Sequence, residues 1–296
     1  MVQDWASLES YLSGVRRLEF CISIDVERDF RKDAGLTVRG LVEGLPSFLD
    51  MLISRSIPFD LMVSSEILDA IPKDIVHARR DLVALGCHGR THEPGYPARL
   101  SPARQRHELN RATETVERQW GRRPLIFRAP NFCANANTLD ALIRLGYEKD
   151  SSVLPGRWVR RWGFLTTIDH RGAPERPYRP DPSRISRPGR SSILEVPVSP
   201  NPHVPGTPLG LGYLHAKGLE ATLSAARPQE RHNWVFLAHP WEMVRWEPGD
   251  AVAPWVRAVA SPDPRHLESL ISALANSRFV NMDSISDAVP PSDPRW

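Results

Sequence analysis

Short apolar runs alternate with longer stretches of helical periodicity along most of this chain. That alternation selects an α/β fold with parallel strands over an all-β one. Residues 18–24 (LEFCISI) read as a first buried strand. A helix is expected over 41–54, with Leu41, Leu45, Phe48, Leu49 and Leu52 on one face. Pro46 lies inside that pattern and moves the expected start to about residue 45. Residues 59–63 form a second strand, 74–85 a helix stopped at Gly86, and a very short strand then runs into Cys87-His88. Ser101-Pro102 reads as an N-cap followed by proline at the first helical position, opening a helix to about residue 119 with Leu109, Ala112, Val116 and Trp120 inward. Strands at 125–128 and 147–150 flank a helix at 137–145 stopped by Gly146. Further strands are expected at 193–198 and 234–238, a last helix at about 265–275, and a short strand at 279–280.

The 296 residues suffice for one large domain, and a single domain over 1–296 is expected. The segment 155–190 departs from the alternation. It carries nine arginines, Trp158, Trp162 and several prolines, and reads as an ordered excursion from the main fold. A formal charge of only +3 gives no reason to expect a nucleic-acid partner. No apolar run reaches the ~18 residues of a membrane-spanning helix. The opening Met-Val-Gln-Asp-Trp has no basic cap before an apolar stretch, so a cytoplasmic protein is expected. Three widely spaced cysteines, Cys21, Cys87 and Cys133, suggest neither a disulfide framework nor a cysteine-based zinc site.

Three local features carry chemistry. Ser23-Ile24-Asp25-Val26-Glu27 ends the first strand, and carboxylates two apart on a strand point to the same side. Such groups serve as a general base or as metal ligands. His88-Gly89-Arg90-Thr91-His92 places two imidazoles four residues apart, a pair suited to zinc and similar borderline metals. Two histidines and a carboxylate make a three-ligand set that leaves a coordination position for water, the catalytic arrangement. In Ala238-His239-Pro240-Trp241-Glu242, a histidine follows an apolar strand, where barrel sites are built, and can deliver a proton near neutral pH. Each feature alone has an ordinary structural reading: a solvated strand end, a chance pair among ten histidines, a histidine in a turn before proline.

In this order, the motifs resemble those of the polysaccharide deacetylase family, carbohydrate esterase family four, in the branch whose first motif reads Asp-Val-Glu. Ser23–Glu27 is similar to the first motif and His88–His92 to the second. Phe127-Arg128-Ala129-Pro130-Asn131-Phe132 is similar to the third, Asp150-Ser151-Ser152-Val153 to the fourth, and His239-Pro240-Trp241-Glu242 to the fifth. Glu195-Val196-Pro197-Val198 and Gly210-Leu211-Gly212-Tyr213 resemble spacer motifs of the same branch, and the resemblance covers roughly residues 18–285. It implies a distorted (β/α) barrel of about seven units, the NodB-homology or glycoside hydrolase/deacetylase barrel. It implies a divalent metal, Zn2+ first, with Co2+, Ni2+, Fe2+ or Mn2+ as alternatives. Glu27, His88 and His92 would hold that metal. Asp25 would be the base, Arg128 its orienting partner, and His239 the acid tuned by Asp150. Asn131, Phe132, Trp241 and Tyr213 would contact substrate, with a backbone N–H near Asn131 or Phe132 for the oxyanion. Val26 stands where the commoner motif has its metal-binding aspartate, so the carboxylate ligand falls to Glu27, with Asp25 the alternative.

The implied reaction is removal of an N-acetyl or other N-acyl group from an amino sugar. Without an export signal in view, a phosphate- or lipid-linked sugar is favoured over a wall polymer, with action in the cytoplasm, at the inner membrane for a lipid-linked donor. The arginines of 155–190 then suggest an anion-binding or membrane-surface lid, against a plain solvated basic loop. The rival readings are a deformylase, an allantoinase-like amidohydrolase that works without metal, and a non-catalytic carbohydrate-binding barrel.

Overall fold

The computed structural model describes residues 17–30, 37–71, 79–93, 95–161, 165–227 and 232–286. In chain order the main elements are β1 (Glu19–Val26), α1 (Leu45–Ser54), β2 (Phe59–Val63), β3 (Val83–Cys87), α2 (Pro102–Trp120), β4 (Ile126–Phe127), α3 (Ala136–Arg144) and β5 (Lys149–Asp150). Two short pairs follow, β6 (Trp158–Arg161) with β7 (Leu165–Asp169), and β8 (Pro180–Asp181) with β9 (Arg184–Pro188). The chain then returns through β10 (Leu194–Glu195), α4 (Leu211–Ala226), β11 (Asn233–Ala238), α5 (Pro254–Val259), α6 (Arg265–Ala273) and β12 (Arg278–Val280).

Seven strands form one parallel sheet in the order β10-β5-β4-β3-β2-β1-β11, and β12 pairs with the first half of β1. The sheet is curled. Beyond β10, the Ser199 N–H donates to the Val235 carbonyl of β11, and the Val235 N–H donates to Ser199 Oγ, so the two ends of the sheet meet there. This is the distorted, incomplete (β/α) barrel that the motif order implies.

The two-residue period of β1 sorts its side chains. Phe20, Ile22, Ile24 and Val26 pack outward in the core shared with the helices. Cys21 joins the barrel interior with Met62, Ala84, Val235 and Leu237. Ser23 and Asp25 continue that inner row, and both meet Arg128. The strand thus becomes polar on its inner face only at its C-terminal end, where barrel sites lie.

Helix α1 begins at Leu45 after a wider turn over Gly40–Gly44, as Pro46 requires. Helix α2 starts at Pro102 and stops at Gly121, which takes the left-handed conformation (φ 62°). The expected helix over 74–85 is corrected in part. Residues 72–78 lie outside the described residues, but Val83–Leu85 belong to β3, and Gly86 sits inside that strand. Gly86 is opposite Met62, and a Cβ there would lie 2.1 Å from the Met62 sulfur, so the glycine serves barrel packing. A short continuous apolar run cannot be told from a helix segment by periodicity alone. Helices α4 and α5 were not anticipated; α4 has its N-cap at Gly210. Among the described residues no helix is long and apolar enough to cross a membrane.

Candidate active site

The residues singled out by sequence come mostly from the C-terminal ends of the parallel strands. Asp25 ends the inner row of β1, and Glu27 follows it. His88 and His92 follow β3, Arg128 follows β4, and His239 follows β11. Glu27 Oε2 lies 2.7 Å from His92 Nε2 and 3.3 Å from His88 Nε2, and one ligand atom from each of the three falls within 4.8 Å of the others. Among the described residues this is the one such group of three. Asp25 stands slightly aside, its Oδ2 3.8 Å from His88 Nε2.

Arg128 is fully buried and completely engaged. Its Nη1 donates to Asp25 Oδ1 (2.5 Å) and Ser23 Oγ (2.9 Å), its Nη2 to Ser151 Oγ (2.8 Å), and its Nε to the Ser151 carbonyl (3.1 Å). The guanidinium fixes one Asp25 oxygen and leaves the other facing the cavity. The Arg128 carbonyl also accepts from His88 Nδ1 (2.9 Å). With Nδ1 committed to that carbonyl, Nε2 is the nitrogen that faces Glu27, a hydrogen-bond donor in this arrangement and the lone pair that a metal would take. His92 Nδ1 lies 3.3 Å from the Asn131 amide. With the Asn131 carboxamide turned so that its oxygen accepts, His92 also presents Nε2 as a lone pair. Two neutral imidazoles and one carboxylate, oriented this way, suit a divalent metal of the zinc type.

The charges respond to burial and to each other. Burial alone would push Glu27 up, but the charge of His92 and hydrogen bonds from His88 and His92 outweigh it and hold the carboxyl well below its usual range. Burial would lower His92, yet Glu27 raises it. Burial would also lower His239, but Glu242, then Glu27 and Asp25, raise it to about 9.

His239 stacks on Trp241 (centroids 4.7 Å, 24°), and Trp241 Nε1 donates to Glu27 Oε1 (3.1 Å). Asn131 and Phe132 both hold positive φ (55° and 60°), a strained pair at the cavity wall. The Phe132 N–H donates to the Ala129 carbonyl, which leaves the Asn131 amide as the candidate oxyanion donor of the two. A cavity of about 450 Å³ is lined by Asp25, Glu27, His92, Asn131, Phe132, Tyr213, His239 and Trp241, eight of the eleven residues singled out by sequence.

Asp150 is placed differently from the role the motifs imply. It is buried, hydrogen-bonded to Ser152 and paired with Glu195. The carboxylate in contact with His239 is Glu242, whose Oε2 lies 3.3 Å from Nδ1 and accepts from the His239 N–H (2.8 Å). The sequence held that signal in the three-residue spacing from His239 to Glu242, a capping-box spacing that returns the carboxylate to the first residue of the turn. Gly212 makes room for it, since a Cβ there would lie 2.6 Å from Glu242 Oε1.

The arginines of 155–190 do not gather into one cluster among the described side chains. Arg171 pairs with Asp169, Arg160 and Arg171 stack on Trp158, and Arg179 donates to the Ser192 carbonyl. Only Arg157 of this segment lines the cavity. Trp162 and the Arg161 side chain fall outside the described residues.

Comparison with known proteins follows the same order, fold first. A polysaccharide deacetylase crystal structure from Mycobacterium smegmatis superposes with a TM-score of 0.60 at 17% identity, covering 91% of this chain and 88% of the other. A glycoside hydrolase/deacetylase from Parabacteroides distasonis gives 0.59 at 12%, over 90% of this chain and 69% of its own. The same score, at 12%, is reached by a 4-alpha-glucanotransferase from Thermococcus litoralis, over 90% of this chain and 40% of the other. These likenesses establish the deacetylase-type barrel and nothing of the chemistry. In sequence, residues 32–149 match the polysaccharide deacetylase family. A peptidoglycan deacetylase-like protein of Gibberella zeae is 25% identical over 202 residues, 64% of this chain and 55% of that relative, so the chain spans little more than half the relative's length. Over residues 32–149 the chain is thus similar to the polysaccharide deacetylase family, and its fold is the barrel of the solved deacetylase structures it superposes on.

Proposed function

We propose that this protein is a metal-dependent hydrolase that removes an N-acetyl group from an amino sugar. The observation that carries the reading is the convergence of Glu27, His88 and His92, with ligand atoms within 4.8 Å of one another, beside an Asp25 clamped by Arg128. Glu27, His88 and His92 would hold the divalent metal, zinc first; when bound it supplies a Lewis acid for the acyl carbonyl and acidifies water. Asp25, one oxygen fixed by Arg128, accepts the proton of the attacking water on its cavity-facing oxygen. The Asn131 amide donates to the acyl oxygen as negative charge develops there. His239, held protonated by Glu242, delivers a proton to the departing amine nitrogen. Trp241 stacks on His239 and bonds Glu27, which keeps acid and ligand in one frame and excludes water between them. Asp25 and His239 lie at the ends of the paired strands β1 and β11 and line one cavity, which supports reading them as base and acid.

The direct test is metal analysis of the purified protein, joined to measurement of acetate and formate release from a panel of amino-sugar donors before and after chelation. Acetate release that disappears on chelation and returns with zinc is the expected result. Formate release instead would move the reading to a deformylase. Undiminished turnover in the chelated protein would overturn it in favour of a metal-free amidohydrolase.

A further inference from the structure

Resting on the amino-sugar reading, we infer that the cavity recognises an anionic group on its substrate, a phosphate or a carboxylate, through Arg157. Arg157 follows β5 and lines the same cavity as Asp25 and His239. Its guanidinium lies over the Phe132 ring (5.6 Å to the centroid), and Phe132 adjoins Asn131, which contacts His92. One Arg157 nitrogen is used within the protein: Nη1 donates to the Gly206 carbonyl (2.8 Å). Its Nε is buried and has no hydrogen-bond partner. Arg157 makes no ion pair with any described carboxylate. The nearby His170 adds no like charge, because its Nδ1 accepts from the Leu154 N–H and burial, followed by Arg157 itself, keeps the ring neutral.

Burying a guanidinium without an acidic partner or a full set of acceptors is costly, and proteins normally supply the missing groups. Arg128, more deeply enclosed than the half-buried Arg157, shows the usual solution, with all three nitrogens engaged. Arg157 has the donor fork and lacks the acceptor. Burial lowers its affinity for its own proton, as expected of a cation kept partly from water without compensation. An oxyanion in the cavity supplies what is missing at Nη2, the terminal nitrogen without a partner among the described residues and outside the buried set to which Nε belongs. A second cation, the exposed Lys217 of α4, lines the same cavity and makes no ion pair with a described residue. The acids of the cavity do not cancel this field: Asp25 is held by Arg128, Glu27 by the two histidines, and Glu242 by His239.

The test compares binding of N-acetylglucosamine, N-acetylglucosamine 1-phosphate and N-acetylmuramic acid by calorimetry, in an Asp25→Asn background that prevents turnover. At least one charged sugar is expected to bind about tenfold or more tightly than the neutral one. Preference for the phosphate alone identifies a phosphorylated donor; equal preference for the acidic sugar identifies a general anion subsite. Arg157→Gln should bring the ratio to about one and leave the neutral sugar unaffected, and Lys217→Gln should reduce it a few-fold. If Arg157→Gln fails to fold, competition by inorganic phosphate and the Lys217→Gln ratio decide. A ratio near one in the Asp25→Asn protein, or a ratio untouched by both substitutions, overturns the inference. The two proposals separate cleanly. Charge preference without acyl release from any donor keeps the anion subsite and removes the deacetylase reading. Equal acetate release and equal affinity for neutral and charged sugars does the reverse.

Discussion

Two acidic clusters lie buried in one barrel and behave oppositely. Glu27 is enclosed by His88 and His92, and against the pull of burial the charge of His92 and hydrogen bonds from both rings hold it well below the normal range. Asp150 and Glu195 are enclosed by Ser152, the Val153 N–H and each other, and burial pushes both up, Asp150 to about 7. Arg128 lowers both members of the second cluster, yet its donors are committed to Asp25, Ser23 and Ser151. The difference is therefore the supply of directed cationic partners, not depth. The first cluster is arranged to stay ionised; in the second, where β5 pairs with β10, burial favours the protonated form.

The largest effect should come from removing the cation partners. His88→Ala is expected to abolish stoichiometric metal and reduce acetate release to background, with the circular-dichroism spectrum retained; full metal content in that variant would refute the ligand set. Asp25→Asn should keep its metal and lose roughly 10²–10⁴-fold in kcat, the range for removal of a general base. Loss of metal there would make Asp25 the carboxylate ligand.

A smaller effect tests the acid. In metal-free protein, the His239 imidazole should titrate near pH 9 by NMR. Its folded value is raised, so the stability it contributes is fully present below the unfolded value near 6.5 and is lost as pH rises to about 9. Glu242→Gln should drop the midpoint below 6.5, because burial then acts with less opposition. Asp150→Asn should move it far less. A larger shift in Asp150→Asn would restore the tuning role implied by the motifs.

The smallest effect concerns the proton-holding pair. A carboxyl raised on folding stabilises at low pH and loses that contribution as pH rises through its folded value, about 7 for Asp150. Glu195→Gln removes one charge from the pair and should flatten the decline of Tm between pH 5 and 8 by a few degrees. An unchanged slope would show that the pair does not titrate in that window.

Much of this was readable from residues in order. LEFCISI marked the first strand because it is mostly apolar, and Pro46 set the start of α1 because proline cannot donate inside a helix. The histidine pair and Asp25-Val26-Glu27 named the cluster because their spacings are local. Other features escaped, among them α5. β3 was mistaken for a helix end because Gly86 looks the same as a stop or as a packing contact until Met62 is placed beside it. Helix α4 was hidden by weak periodicity and by Gly218, which takes φ 80° within it. The carboxylate beside His239 was hidden because Asp150 and Glu242 are both plausible until the barrel is closed. Contacts between distant strands carry no local signature.

Arg128 offers its side chain to Asp25 and its main-chain oxygen to His88. The two offers differ in heritability. Substitution deletes the first and spares the second, because every amino acid brings the same carbonyl. Under the proposed roles, mutational drift at this position would silence proton abstraction before it loosened the imidazole, so that an ion held there would outlast the chemistry.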